Sequence, residues 1–181
     1  VRELERIFGK SGRRLHNMAN NIDERTVNPE TERKQVSNEH TFKEDSGDIE
    51  EVERVLLALS DKVAGRLSAK GFKGKTITLK LRDETFKTIT RSKTLPRRIK
   101  SGEEIYSQSK QMLHAEWTEG KMVRLIGVSV SGFDENEQTS LFEDTSEQKN
   151  KVEDLLADIR GKFGKSAITR ASLIKGQKPT S

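Results

Sequence analysis

No cysteine occurs in these 181 residues. Disulfides and cysteine-ligated zinc are therefore excluded, and the composition suits a reducing compartment, the cytoplasm. Aromatic residues are scarce, at seven Phe, one Tyr and one Trp, which leaves little material for a surface that stacks bases. No apolar run approaches the ~20 residues needed to span a bilayer, and no signal-peptide pattern opens the chain. Apolar residues make up 31% and charged residues 35%, with a mean hydropathy of −0.80. That balance does not supply one compact core along the whole length, so a packed middle with solvated ends is expected. Catalytic constellations are also missing. His16, His40 and His114 are far apart and lack metal-ligand spacing, "KGFKGK" (70–75) lacks the spacing and the Ser/Thr of a P-loop, and no nucleophile lies beside a base. Binding rather than catalysis is expected, with no cofactor held by these residues. The sequence opens at Val1 inside a helical pattern, so it reads as a fragment without its N-terminal part.

What is present is charge, unevenly distributed. Residues 43–61 carry seven acids against two bases, residues 134–147 carry six acids and no base, and residues 72–133 carry thirteen bases against six acids. The stretch "FKTITRSKTLPRRIKSG" (86–102) holds six Lys or Arg and no acid. One reading is a polarised field that steers polyanions to one face; the other is a set of solvated faces.

The pattern of apolar residues orders the chain. Residues 2–19 read as helix, interrupted at Gly9 and Gly12, and a polar segment with Pro29 follows as a linker. "QVSNEHTF" (35–42) alternates weakly, as a strand does. Residues 46–71 form the clearest helix: Asp48 or Ser46 caps it, Ile49, Val52, Leu56, Leu59, Val63 and Leu67 make one stripe, and Gly71 stops it. "KTITLKLR" (75–82) alternates cleanly, and 86–94 returns as the second arm of a hairpin. Ser101 and Gly102 open another helix with Ile105, Met112 and Leu113 inward, and "MVRLIGVSVSGF" (122–133) is a last strand. The fold class is α+β: a βαββαβ four-stranded sheet with two helices on one face, plus a short N-terminal helical segment and a C-terminal helical tail. The other face of the sheet is left bare. In the hairpin's second arm Lys87, Ile89, Arg91 and Lys93 share one side and Thr88, Thr90, Ser92 and Thr94 the other. Such a strand is either an edge that uses Lys against aggregation or a surface for phosphates. After residue 148, Val152, Leu155, Leu156, Ile159 and Phe163 form an amphipathic helix whose apolar stripe calls for a cover.

Four segments, "LERIFGKSGRRLHNMANNIDERTVNP", "RKQVSNEHTF", "KTITLKLRDETFKTITRSKTLP" and "VRLIGVSVSGF", occur in this order between about residues 3 and 133. Together they resemble the C-terminal part of a Y-family translesion DNA polymerase of the bacterial DNA polymerase IV type. "QTSLF" (138–142) has the Gln-x-x-Leu-Phe form of a sliding-clamp peptide. The resemblance implies the end of a thumb domain and linker at 1–31 and a little-finger (polymerase-associated) domain at 32–133. It further implies an acidic linker with a clamp-binding peptide at 134–147 and a helical extension at 148–181. The implied partners are primer–template DNA and the bacterial sliding clamp, with no membrane and a monomeric state. The matching DNA-binding positions are Ser37, Arg91, Ser92, Lys93, Thr94 and Arg124, and the clamp-binding positions are Gln138, Leu141 and Phe142.

Departures from the family's usual pattern bear on the grip. Gln35 stands where Ser is common, and Leu125 and Ser129 stand where some relatives carry basic residues, so a lighter phosphate contact through the last strand is expected. The palm that would hold catalytic Mg2+ has no counterpart in these residues, so the fragment alone should be inactive. A stand-alone α+β RNA-binding or ribosome-associated module is the alternative. It calls for exposed aromatics on the sheet, whereas Phe42 and Phe86 sit at strand ends.

Overall fold

The computed structural model describes residues 1–23, 25, 34–133, 146–164 and 167–173. The chain forms two compact units, Val1–Glu32 and Arg33–Ser181. In the first, α1 (Arg2–Phe8) and α2 (Lys10–Ala19) meet at Gly9, whose φ of +56° ends one helix before the next begins. Gly12, expected as a second interruption, instead lies inside an intact α2. A Cβ there would fall 2.3 Å from the backbone of Leu4, so this glycine lets the two helices touch.

The second unit follows the expected order: β1 (Gln35–Ser46), α3 (Ile49–Ser68), β2 (Gly74–Asp83), β3 (Thr88–Ile99), α4 (Gly102–Glu116) and β4 (Val123–Ser131). The strands lie β1-β4-β2-β3, and every neighbouring pair is antiparallel. Each helical crossover therefore passes over one strand, and both helices cover the same face of the sheet.

The core explains this arrangement. Val52, Leu56, Leu59, Val63 and Leu67 of α3 recur every three or four residues, so they form one buried stripe. With Ile105 and Leu113 of α4 they meet Ile77, Leu79 and Leu81 of β2 and Ile126, Val128 and Val130 of β4. Asp48 caps α3 by accepting from the Glu50 N–H at 2.9 Å. At the other end Gly71 takes φ +67°, and the Phe72 N–H donates to the Leu67 carbonyl at 2.9 Å. Between α3 and α4, Glu53 accepts from Lys110 at 2.7 Å and lies 2.5 Å from His114. Burial alone would raise the Glu53 pKa, but those two hydrogen bonds outweigh it and hold the carboxyl below its ordinary value.

The C-terminal helix α5 (Ser146–Phe163) packs on α3, and its apolar stripe is covered only in part, with Leu156 and Ile159 half-buried. Val152, Leu155 and Phe163 are exposed. Ion pairs add to the docking: Lys100, just after β3, reaches Asp154 of α5 at 2.6 Å, and Arg170, in the segment after α5, reaches Asp61 of α3 at 2.8 Å. Glu153 is buried and accepts from the Gly102 N–H at 2.9 Å, which caps α4 where the Ser101 side chain makes no capping bond. Burial pushes the Glu153 carboxyl above its ordinary pKa. Asp61 of α3 is buried, and the Arg170 guanidinium supplies its cationic partner.

Candidate nucleic-acid interface

With both helices on one side, alternate residues of the four strands compose the other. Strand register aligns them in rows across β1, β4, β2 and β3. One row is Ser37, Ser129, Thr78 and Ser92, and the next is Gln35, Ser131, Thr76 and Thr94. The remaining two are Glu39, Gly127, Lys80 and Thr90, then Thr41, Leu125, Arg82 and Thr88. These sixteen positions contain no aromatic ring and one acid, Glu39. Hydroxyls already bond across the β2–β3 pair, Thr78 to Ser92 at 2.8 Å and Thr76 to Thr94 at 3.0 Å. Each hydroxyl keeps further capacity as donor or acceptor. Rows of hydroxyls with Lys80 and Arg82 among them suit an anionic backbone, because hydroxyl and cationic heads donate to the same phosphate oxygens.

The structure separates the residues singled out in the sequence. Ser37, Ser92 and Thr94 lie on this open face, with Ser37 and Ser92 at opposite ends of one row. Arg91 and Lys93 pair with Leu79 and Ile77, so they belong to the helix side of the β3 edge. There Arg91 forms a two-pronged pair with Glu116 at 2.6 and 2.9 Å, and Lys93 reaches Gln111 at 3.3 Å. Arg124 stands where β4 slips register against both of its neighbours. Its guanidinium is held by both oxygens of Asp45 at 2.9 and 2.7 Å and lies 4.2 Å from the centre of the Phe86 ring. The Arg124 hydrogen bond holds the Asp45 carboxyl below its ordinary range. Phe86 itself takes φ +66° in the β2–β3 turn, where Asp83 accepts from Thr85 and Lys87. Lys100, one of the six cations of the acid-free stretch, is buried against Asp154 and belongs to the fold. Gln138, Leu141 and Phe142 lie outside the described residues.

Among the described residues no group of three His, Asp or Glu side chains is placed to hold a metal ion. None of the described helices is long and apolar enough to cross a membrane.

Comparison with known proteins decides the family. Residues 33–141 match the model of the impB/mucB/samB family C-terminal domain. This chain belongs to that family. DNA polymerase IV of Clostridium kluyveri is 36% identical over 190 aligned positions, covering 98% of this chain and 47% of the relative. DNA polymerase IV of Clostridium perfringens strain 13 is 40% identical over 135 positions, covering 75% of this chain and 38% of the relative. The chain thus spans a little under half the length of these curated relatives. A solved Y-family DNA polymerase chimera superposes with a TM-score of 0.52 at 21% identity, covering 75% of this chain and 39% of that one. This likeness shows the fold. The Y-family resemblance read in the sequence is borne out, and so is the α+β architecture.

Two features of the chain were not assigned a role from sequence. Thr76, Thr78 and Ser131 complete the hydroxyl rows, but their neighbours across the sheet come from the insertion of β4 between β1 and β2, which alternation within one strand does not reveal. In the N-terminal unit, Lys10, Arg13, Arg14 and Arg25 line a cleft of about 320 Å³ with Asn17 and Asp23. The helical spacing of the first three was the available signal. Asp23 is held well below the carboxylate range by its hydrogen bond from Arg25.

Proposed function

We propose that this chain is the DNA-gripping and clamp-docking C-terminal region of a translesion DNA polymerase. Residues 1–31 are the end of the thumb and its linker, 32–133 the little finger, 134–147 an acidic linker with the clamp peptide, and 148–181 a helical extension. The open sheet face lies along the duplex of a primer–template junction, and the grip is independent of base sequence because phosphates carry no sequence information. Nucleotidyl transfer, with its Mg2+, is placed in parts of the parent polymerase outside these residues, so the 181-residue chain alone has no polymerase activity. The chain acts in the cytoplasm as a monomer. Clamp docking rests on "QTSLF" at 138–142.

The observation that carries the DNA reading is the composition of the sixteen-position face: one unbroken row of hydroxyls with others beside it, two cations in Lys80 and Arg82, one acid and no aromatic. Without a ring to stack on, the face offers no platform for single-stranded RNA bases, which counts against the RNA-binding alternative. The test is Ser129→Glu, which sets a carboxylate in the middle row among the phosphates. Duplex affinity falls at least tenfold at about 0.1 M salt, equivalent to about 1.4 kcal/mol, while the thermal midpoint stays close to wild type. Anisotropy titration with a labelled primer–template checks it, and unchanged affinity would remove this face from the DNA contact.

A further inference from the structure

Glu39 is the single acid among the sixteen open-face positions, and its geometry gives it a defined task. It stands on the outer strand β1, yet its carboxylate reaches over β4 to Lys80 on β2, with both oxygens 3.0 Å from the Lys80 Nζ. The residue between them is Gly127, aligned with Glu39 on one side and Lys80 on the other. A methyl group at Gly127 would fall 2.7 Å from Glu39 Cγ. Any larger residue there would push the Glu39 side chain off the sheet. The glycine thus makes a channel in which the carboxylate lies flat against the face. Both partners stay partly exposed, with side-chain exposures of 31% for Lys80 and 42% for Glu39, so the pair is accessible to an arriving ligand.

We infer that Glu39 is an internal stand-in for phosphate, an exchange partner that occupies Lys80 until a duplex phosphate displaces it and thereby lowers the domain's affinity for DNA. This rests on the DNA reading above. Two other cations carry similar internal carboxylates, Arg91 with Glu116 and Arg124 with Asp45, but Glu116 ends α4 and Asp45 lies beyond the paired rows, in the irregular part of β1. Glu39 differs in sitting where the phosphates arrive. Binding must therefore break one ion pair for the Lys80–phosphate contact it makes, and the net number of counterions released falls by about one. The consequence is a lighter grip that lets the domain leave one duplex position for the next.

The experiment compares the 181-residue chain with Glu39→Gln, Lys80→Ala and the double variant, titrating a labelled primer–template duplex across a salt series. Glu39→Gln binds roughly three- to tenfold more tightly at about 0.1 M salt, and its plot of log affinity against log salt is steeper by about 0.9. In the Lys80→Ala background the same change has little effect, because Glu39 acts through Lys80. If Glu39→Gln leaves affinity and slope where they were, the stand-in role is overturned and the DNA reading survives. If the gain persists in full without Lys80, Glu39 merely repels phosphates and the exchange with Lys80 is overturned. If the wild-type chain shows no salt-dependent duplex binding, the DNA reading fails and this inference falls with it. The Gln side chain matches Glu in size, and thermal midpoints equal to wild type confirm that the comparison is between folded proteins.

Discussion

Leu56→Ala costs about 2–5 kcal/mol of unfolding free energy. Leu56 is fully buried at the middle of α3, and it shares one core cluster with Val52, Leu59, Ile126 and Val128. Removing its branched end subtracts the transfer energy of three carbons and leaves a void, because the sheet beneath α3 is pinned by its own ladders and relaxes only in part. The contrast is Leu155→Ala on α5. Leu155 is 61% exposed, and its truncation stays within about 0.5 kcal/mol. Denaturant melts of the two variants check both values. The open face is on the far side of the sheet from α3, so the folded fraction of Leu56→Ala binds duplex DNA with unchanged affinity. A loss below about 1 kcal/mol would mean that α3 does not hold the core together as the structure indicates.

The double change Leu141→Ala/Phe142→Ala abolishes binding to a bacterial sliding clamp and leaves duplex binding intact. The argument is chemical: "QTSLF" offers one adjacent pair of large apolar side chains inside a stretch of six acids and no base at 134–147. Such a peptide binds by inserting those two anchors into an apolar pocket, with a glutamine to fix its register. The ordering cost on binding keeps the contact weak, on the order of micromolar, or about −8 kcal/mol. Loss of two anchors at about 2 kcal/mol each places the variant beyond detection. Calorimetry with purified clamp checks it. Joint loss of clamp and DNA binding would contradict the division between peptide and sheet.

How far the fold can be read from sequence depends on the length scale of each interaction. Helix α3 and strand β2 were legible because their apolar periods, near 3.6 and 2, act between residues only a few positions apart. The hairpin turn was legible for the same reason. The element order and the placement of both helices on one face followed from the apolar periods and the crossover rule, whereas the insertion of β4 between β1 and β2 came only with the structure. Pairings over long separations were not legible. Arg124 meets Asp45 79 positions away and Arg170 meets Asp61 109 positions away, and nothing local marks either acid as the partner. Lys100 reads as one of six equivalent cations in its stretch, yet it is buried against Asp154. Alternation assigned Arg91 and Lys93 to one side of β3 and Ser92 and Thr94 to the other. It could not say which side faces the helices, because neither set is apolar. The register with Ile77 and Leu79 answers that. Gly127 was silent in the sequence, since its significance lies in the Glu39 side chain that crosses it.

The central claim is that the open face grips duplex phosphates. Its most direct test is the affinity of the 181-residue chain for a primer–template duplex, measured from about 0.05 to 0.3 M salt beside single-stranded RNA of equal length. Affinity then falls steeply with salt, the plot of log affinity against log salt having a slope of roughly −0.9 per phosphate neutralised, and duplex DNA is preferred. A flat plot, or tighter binding to the RNA strand, would contradict the account.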